Sequence, residues 1–303
     1  MTNATATTAF LAQAVTKSYP GHIALDRITL EIPAGHVVGL LGRNGAGKST
    51  LLNLAAGIIL PTSGECRTLG QRTDLLDTPE LTRLGLVQQE GRFIEWMTVD
   101  QHLAYNASFY PDWDHDLQRR LIEILELPTA RKIAHLSPGD RQKVSILLGV
   151  CHRPALLLLD EPMSALDPIA RSRMLDVLIE RLRDDGCTVV ISSHLLDDVE
   201  KIVDWIVALD TGRVAENCAF DELQESFAGW TITANDASLP ARFAEPFILA
   251  QENRGPNARL IVRTSEPDAA AQFARTHHVK LSPRPLNLGE MFPHLIAQGR
   301  KAR

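Results

Sequence analysis

The sequence lacks a long apolar run and a basic cluster, and it has few aromatic rings. Each shortfall removes a class of protein. The longest apolar candidates, Leu51–Leu60 and Leu156–Leu159, fall short of the roughly 20 residues that cross a bilayer, so any membrane-spanning part is expected in another subunit. The opening residues, MTNATATTAF, have no basic stretch followed by an apolar one, so they do not read as a secretory signal and the expected place is the cytoplasm. The formal net charge is -6 with no run of Lys or Arg, so neutralising nucleic-acid phosphates is not an expected role. Aromatic residues make up 5%, which points to mostly aliphatic cores. The four cysteines, Cys66, Cys151, Cys187 and Cys218, show neither a CxxC nor a Cys/His zinc spacing, so they read as reduced thiols and not as metal ligands.

What is present describes a folded chain of more than one lobe. The 303 residues are 45% hydrophobic and 22% charged, and that length exceeds what one core usually organises. Phe10–Val15, Ile28–Ile32 and Val37–Leu41 read as strands, and Lys48–Ala56 as a helix ended by Gly57. Val99–Phe109 and Asp116–Leu127 carry helical spacing, punctuated by Pro111 and Pro128. A second α/β stretch follows: the apolar strand Leu156–Leu159, the helix Ile169–Arg183, the strand Thr188–Ser192, the helix Leu195–Ile202 and the strand Ile206–Leu209. From about residue 215 the pattern shifts. Phe220–Phe227 reads as a linking helix, Trp230–Thr233, Phe247–Ala250 and Leu260–Arg263 as short strands, and Asp268–His277 and Leu288–Ala297 as helices.

The sharpest signal is Gly42-Arg-Asn44-Gly45-Ala46-Gly47-Lys48-Ser49-Thr50, a full G-x-x-x-x-G-K-[ST] pattern between an apolar strand and a helix. Its glycines let the backbone curl so that successive N–H groups face a phosphate, and the helix adds the positive end of its dipole. Lys48 supplies a mobile charge for the β- and γ-phosphates, and the Ser49 hydroxyl suits Mg2+. The apolar strand Leu156–Leu159 ends in Asp160 and Glu161. Asp160 is placed to hold the metal and Glu161 to polarise the attacking water. His194 follows another strand end, where open α/β sheets hold ligands, and it is a candidate partner for the γ-phosphate, Glu161 and the water.

In this order and spacing, residues 10–215 resemble the ATP-binding subunits of ABC transporters. The resemblance implies an α/β P-loop NTPase core of the ABC type with a mostly helical signature subdomain, about 89–150, within residues 1–215. It leaves 216–303 as a small α+β C-terminal domain. It implies ATP and Mg2+ as cofactors, a second copy of the chain and an integral membrane permease as partners, and a place on the cytoplasmic face through that permease.

Residue by residue, Tyr19 in Lys-Ser-Tyr-Pro-Gly looks like the ring that stacks on adenine, the alternative being a strand-end Tyr packed on the core. Gln89 in Val-Gln-Gln-Glu looks like the hinge Gln that meets Mg2+ or water, with Gln88 one position away. Ser164-Ala165-Leu166-Asp167 looks like the loop that touches the opposite subunit, and otherwise reads as a helix cap before Pro168. Leu136-Ser137-Pro138-Gly139-Asp140 looks like the signature, usually Leu-Ser-Gly-Gly-Gln, with Ser137 and Gly139 meeting the γ-phosphate of the other copy. It departs at Pro138, which suits a first helical turn, and at Asp140. That carboxylate either repels the γ-phosphate or turns away to suit the helix dipole.

Phe93-Ile94-Glu95-Trp96-Met97 reads as a docking segment for the membrane subunit, or as filling of the lobe's own core. Phe109-Tyr-Pro-Asp-Trp-Asp114 resembles exporter-type subunits, so the implied function is ATP hydrolysis that powers export. A soluble ABC-type ATPase acting as an assembly or scaffold factor is the alternative.

Overall fold

The computed structural model describes residues 8–89, 91–234 and 239–301, which divide into two compact units, Met1–Asn217 and Cys218–Arg303. The first unit begins with β1 (Thr8–Tyr19), β2 (His22–Pro33), β3 (Val37–Gly42), α1 (Lys48–Ala55), β4 (Ser63–Thr68), β5 (Gln71–Arg72), α2 (Thr78–Leu81) and β6 (Leu84–Val87). Three helices follow: α3 (Val99–Ala107), α4 (His115–Ile124) and α5 (Pro138–Val150). The chain then runs through β7 (Leu156–Asp160), α6 (Pro168–Asp185), β8 (Thr188–Ser192), α7 (Leu196–Val199), β9 (Trp205–Asp210) and β10 (Arg213–Ala219).

Among the described residues, one sheet has the order β10-β9-β3-β8-β7-β6. β3 pairs in parallel with β8 on one side and β9 on the other, and β7 lies between β8 and β6, also in parallel. Parallel strands covered on both faces need uninterrupted apolar sequence, which is why Leu156–Asp160 and Thr188–Ser192 are buried throughout. The register sets Asp160 opposite Ser192, and Gly42 ends the neighbouring strand, so their C-terminal tips share one edge. A second, antiparallel sheet has the order β2-β1-β4-β5. Phe10, Leu25, Ile32, Leu40, Leu51 and Leu54 are fully buried in a core that joins both sheets to α1.

The middle lobe, α3 to α5, is held by local caps. Thr98 Oγ1 accepts from the Gln101 N–H at 3.2 Å while Gln101 Oε1 accepts from the Thr98 N–H at 3.0 Å, which fixes the start of α3. Asp114 Oδ1 accepts from the Leu117 N–H at 2.8 Å at the start of α4.

Several elements differ from the sequence expectation. β4 and β6 carry no strong strand signal: β4, Ser-Gly-Glu-Cys-Arg-Thr, is largely polar, and its ladder with β1 forms it. α7 stops at Val199, short of the expected Ile202. The chain turns there so that Val199 and Val203 cover Gly39 of β3 and the Asp204 N–H reaches the Val37 carbonyl at 3.0 Å.

In the second unit, α8 (Phe220–Ser226), β11 (Phe227–Ala234), β12 (Ile248–Arg254), β13 (Asn257–Arg263), α9 (Ala269–Thr276), β14 (Val279–Arg284) and α10 (Leu288–Lys301) follow in turn. The antiparallel sheet, β12-β13-β11-β14, packs Trp230, Ile232, Leu260 and Val262 against Phe243 and Phe273. No helix among the described residues is long and apolar enough to cross a membrane.

Candidate functional site

The curl after β3 is built from backbone geometry that only glycine tolerates. Gly47 has φ 104°, and a Cβ there would stand 2.7 Å from both the Ala24 carbonyl oxygen and Leu25 Cδ2. At Gly42 a Cβ would lie 2.9 Å from the Leu209 carbonyl oxygen, so the loop packs directly on β9. The Ala46 N–H donates to the Arg43 carbonyl at 3.0 Å, and the Gly212 N–H donates to the Ala46 carbonyl at 3.1 Å, tying the loop to the turn after β9. α1 starts at Lys48 with no side-chain cap, so the N–H groups of its first turn have no partner within the helix. The Lys48 side chain is almost fully buried, and its Nζ donates to the Gly42 carbonyl at 2.9 Å.

A cleft of about 300 Å3 opens beside this loop, lined by Asn44, Gly45, Ala46, Gly47, Lys48, Ser49 and Thr50 together with Gln89, Asp160, Glu161, His22 and Ala24. Residues from four separate parts of the sequence therefore meet in one space. Gln89 lines it, whereas Gln88 turns to α1, its Nε2 donating to Asn53 Oδ1 at 3.1 Å.

The end of β8 holds the Asp160 carboxylate and the Glu161 backbone. Ser192 Oγ donates to Asp160 Oδ1 at 2.7 Å and accepts from the Glu161 N–H at 3.0 Å. Glu161 sits at φ 48°, unusual for a side chain of its size. Its N–H also reaches the Ser192 carbonyl at 3.2 Å, and Oε2 accepts from His194, from Nδ1 at 2.7 Å and from the backbone N–H at 3.3 Å. Since an ionised carboxylate only accepts, Nδ1 carries the hydrogen, leaving Nε2 as the ring nitrogen open to another group. The His194 side chain is 59% exposed and that of Glu161 13%.

Tyr19 does not line the cleft. It is partly exposed at the end of β1, stacks on His22 with centroids 5.5 Å apart at 20°, and has Lys17 Nζ 5.2 Å from its ring centre. His22, which does line the cleft, carried no sequence signal beyond its place after the Gly21 turn. Ser192 was also missed, because its role depends on strand register and not on any motif.

Ser137 and Gly139 stand at the start of α5 and are not among the residues lining the cleft. Ser137 caps α5, and a Cβ on Gly139 would lie 2.8 Å from the Ala165 carbonyl oxygen, so the signature packs closely on the 164–167 loop. Asp167 caps α6: Oδ1 accepts from the Ile169 and Ala170 N–H groups, each at 2.9 Å. The Ala170 N–H, then that of Ile169 and the Lys143 ammonium, hold its carboxyl below the usual aspartate range against the opposing effect of burial.

In the 93–97 segment Trp96 is exposed and Phe93 half-buried under the Arg141 guanidinium, 5.1 Å from its carbon to the ring centre. Arg141 also pairs with Glu95, Nη1 to Oε2 at 2.9 Å, and that guanidinium keeps the Glu95 carboxyl below its ordinary range. A larger hollow, about 650 Å3, lies beside Tyr110, Trp113 and His152. Volume does not mark the chemistry here: its Asp114 is committed to capping α4 and to Arg153.

Comparison with known proteins agrees with this geometry. A family model described as ABC transporter matches residues 25–164. The aliphatic sulfonates import ATP-binding protein SsuB of Escherichia coli is 34% identical over 215 residues, 71% of this chain and 82% of that protein. The bacitracin transport ATP-binding protein BcrA of Bacillus licheniformis is 30% identical over 213 residues, 70% of each chain. A solved dimeric ATP-binding cassette in a post-hydrolysis state, bound to ADP and Pi, is 28% identical with a TM-score of 0.61, covering 69% of this chain and 98% of that one.

Proposed function

The chain belongs to the ATP-binding subunits of the ABC transporter family, and from that premise we propose that two copies close head to tail around ATP and use its hydrolysis to drive export through a separate membrane subunit. The observation that carries this reading is the single cleft onto which Lys48, Ser49, Gln89, Asp160 and Glu161 all open. A cation, a hydroxyl, an amide and two carboxylates around a curl of backbone N–H groups form the donor set for a metal-bound triphosphate.

The chain is an ATPase of this family, and its oxygen donors fit Mg2+: the Ser49 hydroxyl, the Gln89 amide oxygen and the Asp160 carboxylate face one space. When bound, the ion neutralises charge on the β- and γ-phosphates. The loop N–H groups and the start of α1 grip the phosphates, and Lys48 exchanges the Gly42 carbonyl for phosphate oxygens. Glu161, held by His194 and by its own backbone bonds to Ser192, orients the attacking water and accepts its proton. Catalysis in this scheme is positioning plus electrostatics.

In this reading Ser137 and Gly139 serve the ATP of the second copy, and Asp167 lies at the shared boundary while capping its own helix. The dimeric state of the solved cassette with ADP and Pi supports it. Residues 1–215 are the ATPase domain, with its helical lobe at about 89–150, and 216–303 an accessory domain. The exposed rings of Trp96, Tyr105 and Phe109 on the lobe suit a helix of the membrane subunit, which would hold the chain at the cytoplasmic face. The resemblance of the Phe109–Asp114 stretch to exporter-type subunits favours export. The relative named for sulfonates import favours import, and vesicles loaded with ATP on one side distinguish the two directions.

Glu161→Gln tests the core of the proposal. Expected are retained ATP binding, hydrolysis lowered at least about 100-fold, the range of a lost general base, and an ATP-dependent dimer seen by light scattering. Normal turnover in that variant would remove Glu161 from the mechanism.

A further inference from the structure

Asp140, where the signature departs from the family pattern, makes specific contacts. Ser137 Oγ donates to Asp140 Oδ2 at 2.8 Å and accepts from the Asp140 N–H at 3.1 Å. The direction of the first bond is fixed by chemistry: an ionised carboxylate offers only lone pairs, so the single hydroxyl hydrogen goes to it. Asp140 Oδ1 accepts in turn from Lys143 Nζ at 3.2 Å, one helical turn on. The two side chains are only 14% and 19% exposed, so this is not a freely solvated surface pair. Lys143 also acts on Asp167, and Gly139 lies against the Ala165 carbonyl, so one cation stands between the signature and the 164–167 loop.

A phosphate oxygen, like a carboxylate oxygen, only accepts. Ser137 can therefore serve a γ-phosphate only with the hydrogen that Asp140 now holds. We propose that Asp140 is a positioning residue that latches the signature: it keeps the Ser137 hydroxyl turned onto its own helix, Lys143 screens its charge, and closure on ATP requires the Ser137–Asp140 bond to open. The inference rests on the reading of Ser137 as a ligand to ATP in the opposite copy. Its consequence is that the latch raises the ATP concentration at which two copies close, without altering the phosphate loop that first binds the nucleotide.

The test uses the full-length chain carrying Glu161→Gln, with dimer fraction followed by light scattering against MgATP. Asp140→Ala keeps the backbone N–H that Ser137 caps and removes only the carboxylate. It is expected to lower the half-closing ATP concentration about five-fold, the scale of one net hydrogen bond. Lys143→Gln leaves the carboxylate unscreened and is expected to raise it. The double variant is expected to match Asp140→Ala, because no charge remains at 140 to screen. In the chain with Glu161 intact, Asp140→Ala should lower the half-saturating ATP concentration by the same factor with little change in kcat.

A capping role alone predicts the reverse, a lower melting temperature and an unchanged or higher closing concentration, and that result overturns the latch. Ser137→Ala separates the two possible failures. If it leaves closure unaltered, the reading of Ser137 falls and the latch with it. If it weakens closure while Asp140→Ala does not tighten it, the latch alone falls.

Discussion

Replacing Ser192 by Ala removes one buried oxygen that bonds both the Asp160 carboxylate and the Glu161 backbone. Ser192 is fully buried on β8, donating to Asp160 Oδ1 at 2.7 Å and accepting from the Glu161 N–H at 3.0 Å. The two losses are unequal. The Glu161 N–H keeps the Ser192 carbonyl at 3.2 Å, so it is not orphaned. Asp160 loses a donor to a carboxylate that is 8% exposed, and a hydrogen bond to a charged group contributes about 1.5–3 kcal/mol. A net loss of about 2 kcal/mol then shifts the melting midpoint of a unit this size by roughly 4–8 °C, at about 2–4 °C per kcal/mol.

The functional loss should exceed the stability loss, because Asp160 is no longer aimed. Removing the partner that orients a metal ligand typically costs about 10–100-fold in metal affinity or activity. The assay is ATP hydrolysis as a function of Mg2+ concentration beside thermal denaturation of the same preparation. The half-saturating Mg2+ concentration should rise at least about ten-fold. A variant with native melting and native Mg2+ dependence would refute the account of how β8 positions the acids.

Gly47→Ala forces a side chain into φ 104° with a Cβ 2.7 Å from the Ala24 carbonyl, so titration calorimetry should find ATP affinity reduced at least about ten-fold, in line with 1–3 kcal/mol of strain. Gly139→Ala places a Cβ 2.8 Å from the Ala165 carbonyl and displaces the 164–167 loop. Hydrolysis should fall while ATP affinity of the separated subunit, measured by the same titration, holds. Burial lowers the His102 pKa in the fold, so the unfolded chain binds its proton first as pH falls below about 6.5. That contribution to stability is complete above this value and is lost on acidification. Urea midpoints should therefore drop between pH 7 and 5, with a shallower slope in His102→Gln.

The phosphate chemistry was legible in the amino-acid sequence because it is written in neighbouring residues. A backbone curl followed by Lys48 and Ser49 needs consecutive positions, and Asp160-Glu161 needs only an apolar strand before it. The strands through Val37–Leu41, Leu156–Leu159 and Thr188–Ser192 were legible for a related reason: burial on both faces demands unbroken apolar runs. What depended on distant partners was not. β14, Val279–Arg284, is a largely polar stretch that becomes a strand by pairing with β11. Ser192 meets Asp160 across 32 residues only because β8 adds beside β7 in one register. Gln88 and Gln89 were equivalent neighbours until the fold gave Asn53 to one and the cleft to the other. Asp140 likewise had two directions open to it, and the choice was made by a Ser hydroxyl and a Lys one turn away. Local sequence thus determined which chemical groups the chain carries and the backbone shape of its phosphate loop. Only tertiary packing decided which groups face one another, since strand register and side-chain direction are settled by contacts between segments far apart along the chain.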